Sequence, residues 1–169
     1  RGGRRGRLVR RAAGPGADVW NTADAFHFVY QPLVGDGEIV ARVASVESVH
    51  AWTKAGVMIR ESLTPGSAHA FMLVSPGKGT AFQRRTASDG MSTNTAGLAA
   101  TAPHWVKLVR SGTVITAYAS IDGVTWMFVG SDRIPMVETV YVGLAVGSHI
   151  TGIPATAFFD RVSVTSGGS

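Results

Sequence analysis

Short apolar or alternating runs, each ended by a turn rich in glycine, recur along this chain and constrain its fold more than any other feature. Runs suited to strands cover 25–31, 38–46, 55–61, 69–76, 80–86, 104–111, 114–120, 125–131, 140–148 and 155–165. Between them stand Gly35-Asp36-Gly37, Pro65-Gly66-Ser67, Pro76-Gly77-Lys78-Gly79, Ser111-Gly112 and Asp122-Gly123. Strands that repeat every 8 to 12 residues or so, with such turns between them, predict an all-β sandwich or barrel. No strong window carries the 3.6-residue apolar period of a helix. Two hairpins are explicit: 105–110 returns through Ser111-Gly112 into 114–118, and 117–120 returns through Asp122-Gly123 into 125–129. Asp-Gly supplies the positive φ that a tight hairpin turn demands.

At 169 residues the chain has room for one domain with a full core and not for two. Residues 17–165 form the expected domain, 1–16 an Arg/Gly-rich leader that could supply a first strand, and 166–169 a flexible tail. With no cysteine, disulfides, thiolate metal sites and a Cys nucleophile are all excluded. No stretch reaches the roughly 18 uninterrupted apolar residues of a membrane-spanning helix. The opening residues do not read as a secretory signal peptide and there is no initiator Met, as expected of a mature or excised module. The net charge of +5 belongs to the leader, where six arginines fall within the first eleven residues. Without those six, ten Lys/Arg face eleven Asp/Glu. Nucleic-acid binding is therefore expected only through the leader, because a nucleic-acid domain also needs basic, aromatic-bearing strands in its body.

Several segments have a familiar order: Asp24-Ala25-Phe26-His27-Phe28-Val29-Tyr30, Lys54-Ala55-Gly56-Val57-Met58-Ile59-Arg60-Glu61, Ala81-Phe82-Gln83-Arg84-Arg85, Trp105-Val106-Lys107-Leu108-Val109-Arg110, Asp122-Gly123-Val124-Thr125-Trp126 and Phe159-Asp160-Arg161-Val162-Ser163-Val164. Over about residues 17–165 the chain resembles the concanavalin A-like lectin/glucanase superfamily, and within it the DUF1349-like bacterial extracellular accessory domains. The resemblance implies a two-sheet antiparallel β-sandwich of jelly-roll type with one concave sheet. It also implies a secreted or cell-surface location and a polysaccharide or glycan as partner. Glucanases of that superfamily carry a Glu-x-Asp-x-x-Glu strand, which this chain lacks.

The residues supply no catalytic constellation of their own. Glycoside hydrolysis needs two carboxylates facing one cleft, and the eleven acids here are scattered, several of them in turns. There is no Gly-x-Ser-x-Gly elbow and no His-x-x-x-His pair. The superfamily often holds a structural calcium, for which Asp18 and Asp160 are the candidate ligands if the first and last strands meet; no cofactor is otherwise required. Strand alternation puts Met58 with Arg60, Gln83 with Arg85, and Trp105 with Lys107, so each of three strands carries polar groups on one face. If those faces coincide, Arg60, Gln83, Arg85 and Lys107 would bond sugar hydroxyls while Trp105 or Trp52 stacks on the ring. Trp20 and Trp126 are rival aromatics. The expected function is a non-catalytic, lectin-like carbohydrate-binding accessory module. The alternatives are a structural or adhesion module that self-assembles or binds protein, and a small polysaccharide hydrolase with a non-standard site.

Overall fold

The computed structural model describes residues 3–4, 8–12, 18–20 and 23–167. Its strands are β1 Gly3–Arg4, β2 Leu8–Ala12, β3 Asp18–Trp20, β4 Ala23–Ala25, β5 His27–Val34, β6 Gly37–Val46, β7 Lys54–Arg60, β8 His69–Val74, β9 Thr80–Arg85, β10 Thr93–Ala96, β11 His104–Ser111, β12 Val114–Ser120, β13 Met127–Arg133, β14 Thr139–Gly147 and β15 Ala155–Ser166. Among the described residues there is no helix, and every pairing is antiparallel. The chain is an all-β, two-sheet sandwich of jelly-roll type.

One sheet runs β1-β15-β6-β11-β12-β13, with β2 also lying along β15; we call it the front sheet. The other runs β10-β9-β8-β7-β14-β5 and is the back sheet. The hairpins expected at Ser111-Gly112 and Asp122-Gly123 join β11 to β12 and β12 to β13. Of residues 1–16, those described lie in β1 and β2 beside the last strand; the remainder of that leader lies outside the described residues.

The core follows from alternation. In β6, Ile39, Ala41 and Val43 point inward and are fully buried, while Glu38, Val40 and Arg42 take the half-exposed outer face. Val106 and Leu108 of β11 and Ile115, Ala117 and Ala119 of β12 meet Val57, Ile59, Met72, Phe82, Val142 and Leu144 of the back sheet. Each such large apolar side chain contributes about 1.5–3 kcal/mol on burial. At one end Arg110 turns inward and donates to the carbonyls of Gly35, Met136, Val137 and Glu138, so its charge meets backbone acceptors.

β7 and β8 are buried on both faces, unlike a solvated jelly-roll strand. The reason is a strap, the β3-β4 hairpin. Its Val19 joins Met58, Phe71, Leu73, Ala81 and Ala145 in a second apolar cluster on the outer face of the back sheet. The run at 25–31 is therefore divided: Ala25 ends the strap, and a new strand begins at His27. Strand β10 was not expected, because Thr93-Asn94-Thr95 has no apolar alternation and its place comes from pairing with β9.

Candidate functional site

Strand register sets three polar side chains in one row across the outer face of the back sheet. Arg60 is opposite His69, and His69 is opposite Arg85. The strap lowers Asp24 onto this row. Arg60 Nη1 lies 2.6 Å from Asp24 Oδ2, and Arg85 donates to Oδ2 and Oδ1 at 2.8 Å each. Arg60 also donates to the carbonyls of Thr64 and Pro65, and Arg85 to those of Trp20, Ser67 and Gly90. Burial raises the Asp24 pKa, but the hydrogen bonds and charges of its cationic neighbours, Arg85 foremost, leave it below the usual carboxylate range. Burial pushes the His69 ring down to about 3, so it sits neutral in the row.

Both arginines are thus committed inside the protein. Arg60 is 1% and Arg85 0% exposed, which corrects their expected role as surface donors to a ligand. Alternation does place them on one face, and the strap seals that face.

The next row is different. Gln83 is opposite Phe71 on one side and Asn94 on the other. Its Nε2 donates to Asn94 Oδ1 at 3.1 Å, while Oε1 is buried with no partner. A buried acceptor left unpaired costs about 1–3 kcal/mol unless something donates to it. Gln83 lines a half-open hollow of about 290 Å3 together with Asp18, Trp20, Trp52, Lys54, Asn94 and His149. Ligand pockets start at about 300 Å3, so the hollow stands at the small end of that range.

Lys54, at the start of β7, is 2% exposed. Its Nζ lies 2.9 Å from Asp18 Oδ1, donates to the Val19 carbonyl at 3.0 Å, and stands 5.3 Å and 5.6 Å from the ring centres of Trp20 and Trp52. Burial lowers the Lys54 pKa, and the Asp18 charge opposes that shift. His149 Nδ1 lies 3.0 Å from Asp18 Oδ2, and its ring stacks on His50 at 4.3 Å. The loop before β7 is tied down locally. The Trp52 amide donates to His50 Nδ1, and Thr53 Oγ1 accepts from the His50 amide and donates to the Ser148 carbonyl. Trp52 is thereby held half-buried against the hollow.

Trp105 and Lys107 belong elsewhere. β11 pairs with β6 and β12 in the front sheet, so these side chains stand on the opposite layer from Gln83, and the single patch expected from alternation is divided. There Lys107 Nζ lies 4.3 Å from the Trp126 ring centre and 4.8 Å from that of Tyr118, and Trp105 meets Trp126 edge-on. The expected calcium pair is also separated. Asp18 is engaged by Lys54 in the strap, whereas Asp160 of β15 pairs with Arg42 at 3.0 Å in the front sheet. Among the described residues no group of three His, Asp or Glu is placed to hold a metal ion.

Of the residues named from sequence as ligand contacts, Gln83 and Trp52 line the hollow. Lys54, Asn94 and His149 were missed, and Asp18 was assigned a different role. Lys54 shares alternation with Met58 and Arg60, so its side of the strand was legible; Asn94 and His149 come from segments with no periodic signal.

No protein-family model and no curated protein matches the chain. Solved structures do. A functionally unknown protein from Saccharomyces cerevisiae aligns at 18% identity over 97% of this chain and 90% of its own, with a TM-score of 0.77. A GH43 protein from Bacillus licheniformis aligns at 16% identity over 97% of this chain, with a TM-score of 0.70, and the chain spans 34% of its length. The carbohydrate binding module CBM66 from Bacillus subtilis aligns at 15% identity over 94% of this chain and 95% of its own, with a TM-score of 0.57. At these identities the likeness is one of fold: the chain shares the two-sheet β-sandwich of these proteins.

Proposed function

We propose that the chain is a carbohydrate-binding module that holds a sugar ring in the hollow between Trp20 and Trp52. The observation that carries this reading is the buried Gln83 amide, whose Oε1 has no partner among the described residues, in the lining of a cavity walled by two indoles. Sugars combine an apolar C–H face with hydroxyls that both donate and accept, and such a wall of aromatic rings and amides matches both. Among the described residues Asp18 is the one carboxylate in the lining, and Lys54 engages it. A two-carboxylate hydrolysis thus finds no second acid there, which favours binding without catalysis. The fold shared with a protein named as a carbohydrate binding module and with a GH43 protein supports the same reading. In this proposal the chain is a DUF1349-like, concanavalin A-like accessory domain of a secreted or cell-surface bacterial protein.

Affinity electrophoresis and calorimetry against a panel of polysaccharides test the reading. Retention by at least one glycan, lost in Trp52→Ala and Gln83→Ala, is the expected result. Migration unchanged on every gel overturns it.

A second reading, assembly with protein or with its own copies, is favoured by one feature. Ile121, Val124 and Phe128 are 80%, 81% and 64% exposed around β13, the free edge of the front sheet. Exposed apolar groups beside an unpaired strand invite contact. Light scattering over a concentration series separates the two, since a monomer at every concentration leaves the assembly reading without support.

A further inference from the structure

We infer that the hollow accepts uncharged sugars and discriminates against uronates, sulfated sugars and phosphorylated sugars. This rests on the carbohydrate reading above and adds the class of ligand.

A lysine at the base of a sugar site would ordinarily serve to neutralise an acidic sugar. Here the ammonium is already matched by Asp18 Oδ1 at 2.9 Å and by the Val19 carbonyl at 3.0 Å. These engage two of its three hydrogens. Asp18 is held in turn by the Val19 amide, which donates to Oδ1 at 2.8 Å, and Oδ2 faces His149 Nδ1 at 3.0 Å. Among the described residues the lining therefore holds one positive and one negative side chain in contact, with His149 beside them. An arriving carboxylate or sulfate would leave water for an ion pair with no net charge to attract it, so its desolvation goes uncompensated.

The acceptors point the same way. Gln83 Oε1 needs a donor, and a carboxylate or sulfate has none to give. A hydroxyl can donate to that oxygen and accept from the Asn94 amide beside it. If the two amide groups were turned end for end, Gln83 would present an N–H, which hydroxyl and anionic oxygens both satisfy, and the unchanged balance between Lys54 and Asp18 would alone set the preference. A ring hydroxyl thus satisfies Gln83 Oε1, whereas a carboxylate or sulfate oxygen placed there does not; His149 Nδ1, also buried without a hydrogen-bond partner among the described residues, lies against Asp18 Oδ2.

The test uses the whole chain and two sets of probes in about 0.15 M salt: neutral glucan, xylan, arabinan and fructan, and anionic polygalacturonate, alginate and heparin. The quantity read is the part of the binding that Trp52→Ala removes, which excludes charge attraction to the Arg-rich leader. The expected result is Trp52-dependent binding of a neutral glycan, with anionic glycans weaker by about tenfold or more, because an anion enters the hollow without a free counter-charge. Asp18→Asn releases the Lys54 charge and is expected to move the preference toward the anionic set. Trp52-dependent binding that is as tight for an anionic glycan as for any neutral one overturns the inference while leaving the carbohydrate reading intact. Binding to neither set overturns both. Should Asp18→Asn fail to fold, the preference of the unmodified chain still decides the matter.

Discussion

Arg85 grips both carboxylate oxygens of Asp24 at 2.8 Å, and the nitrogen that bonds Oδ1 also donates to the Trp20 carbonyl at 3.0 Å. The same guanidinium thus anchors the strap to β9 and positions one indole wall of the hollow. In the proposed reading, stability and sugar binding are coupled through this contact.

Asp24→Asn removes the carboxylate and leaves two buried guanidinium groups facing each other. Breaking a buried ion pair on one side costs about 3–5 kcal/mol. Thermal unfolding is expected to show a large fall in Tm, accompanied by loss of glycan binding because Asp18 and Trp20 ride on the same strap. A Tm close to that of the unmodified chain would show that the strap is held by its apolar contacts alone.

Acid is expected to destabilise the fold in two stages. His69 is neutral in the folded state, with its pKa pushed down to about 3 from 6.5. Between those values the unfolded chain binds a proton that the folded chain does not, so stability falls as pH falls, with a slope of up to about 1.4 kcal/mol per pH unit. Asp24, held below 3.8, contributes stability that is present above its unfolded pKa and is lost as pH drops through the folded one. Urea midpoints measured from neutral pH downward check this. His69→Gln is expected to flatten the first stage, and an equally steep profile in that variant would refute the assignment.

Trp52 stands at the rim and Lys107 on the far sheet. Trp52→Ala is expected to lower affinity by about 2 kcal/mol, roughly 30-fold, the scale of an aromatic hot spot. Lys107→Ala is expected to leave affinity unchanged, since its ammonium is engaged with Trp126 and Tyr118 in the other layer. Calorimetry on both variants is decisive, and a large loss in Lys107→Ala would move the site to the front sheet.

Gly123 sits at φ +78°, and a Cβ there would lie 2.7 Å from the Trp105 ring. Gly123→Ala combines backbone strain with a clash against a ring that is packed edge-on against Trp126. A loss of about 1–3 kcal/mol is expected. Denaturant unfolding measures it, and tryptophan fluorescence should shift in the folded variant.

Chelators are expected to leave the Tm unchanged. Asp18 and Asp160 are held by Lys54 and Arg42 in separate parts of the sandwich, which provides no shared oxygen cage of the kind calcium needs. A clear drop on addition of EDTA, restored by calcium, would show that an ion is bound after all.

Much of the architecture was legible in the residues themselves, because alternation and turn chemistry act locally. Gly35, Gly112 and Gly123 mark turns with positive φ, and the period of two assigns Met58 with Arg60 and Trp105 with Lys107 whatever the rest of the chain does. Alternation states which residues share a face of a strand; it does not state which sheet the strand joins, or what lies on top. Those depend on contacts between residues far apart in sequence. β11 joined β6 and β12, which carried Trp105 and Lys107 to the far layer. The strap at 18–25 brought one carboxylate to Arg60 and Arg85 and withdrew both from solvent, since two guanidinium groups side by side in a dry row require an anion. The hollow beside Gln83 is what that strap leaves uncovered.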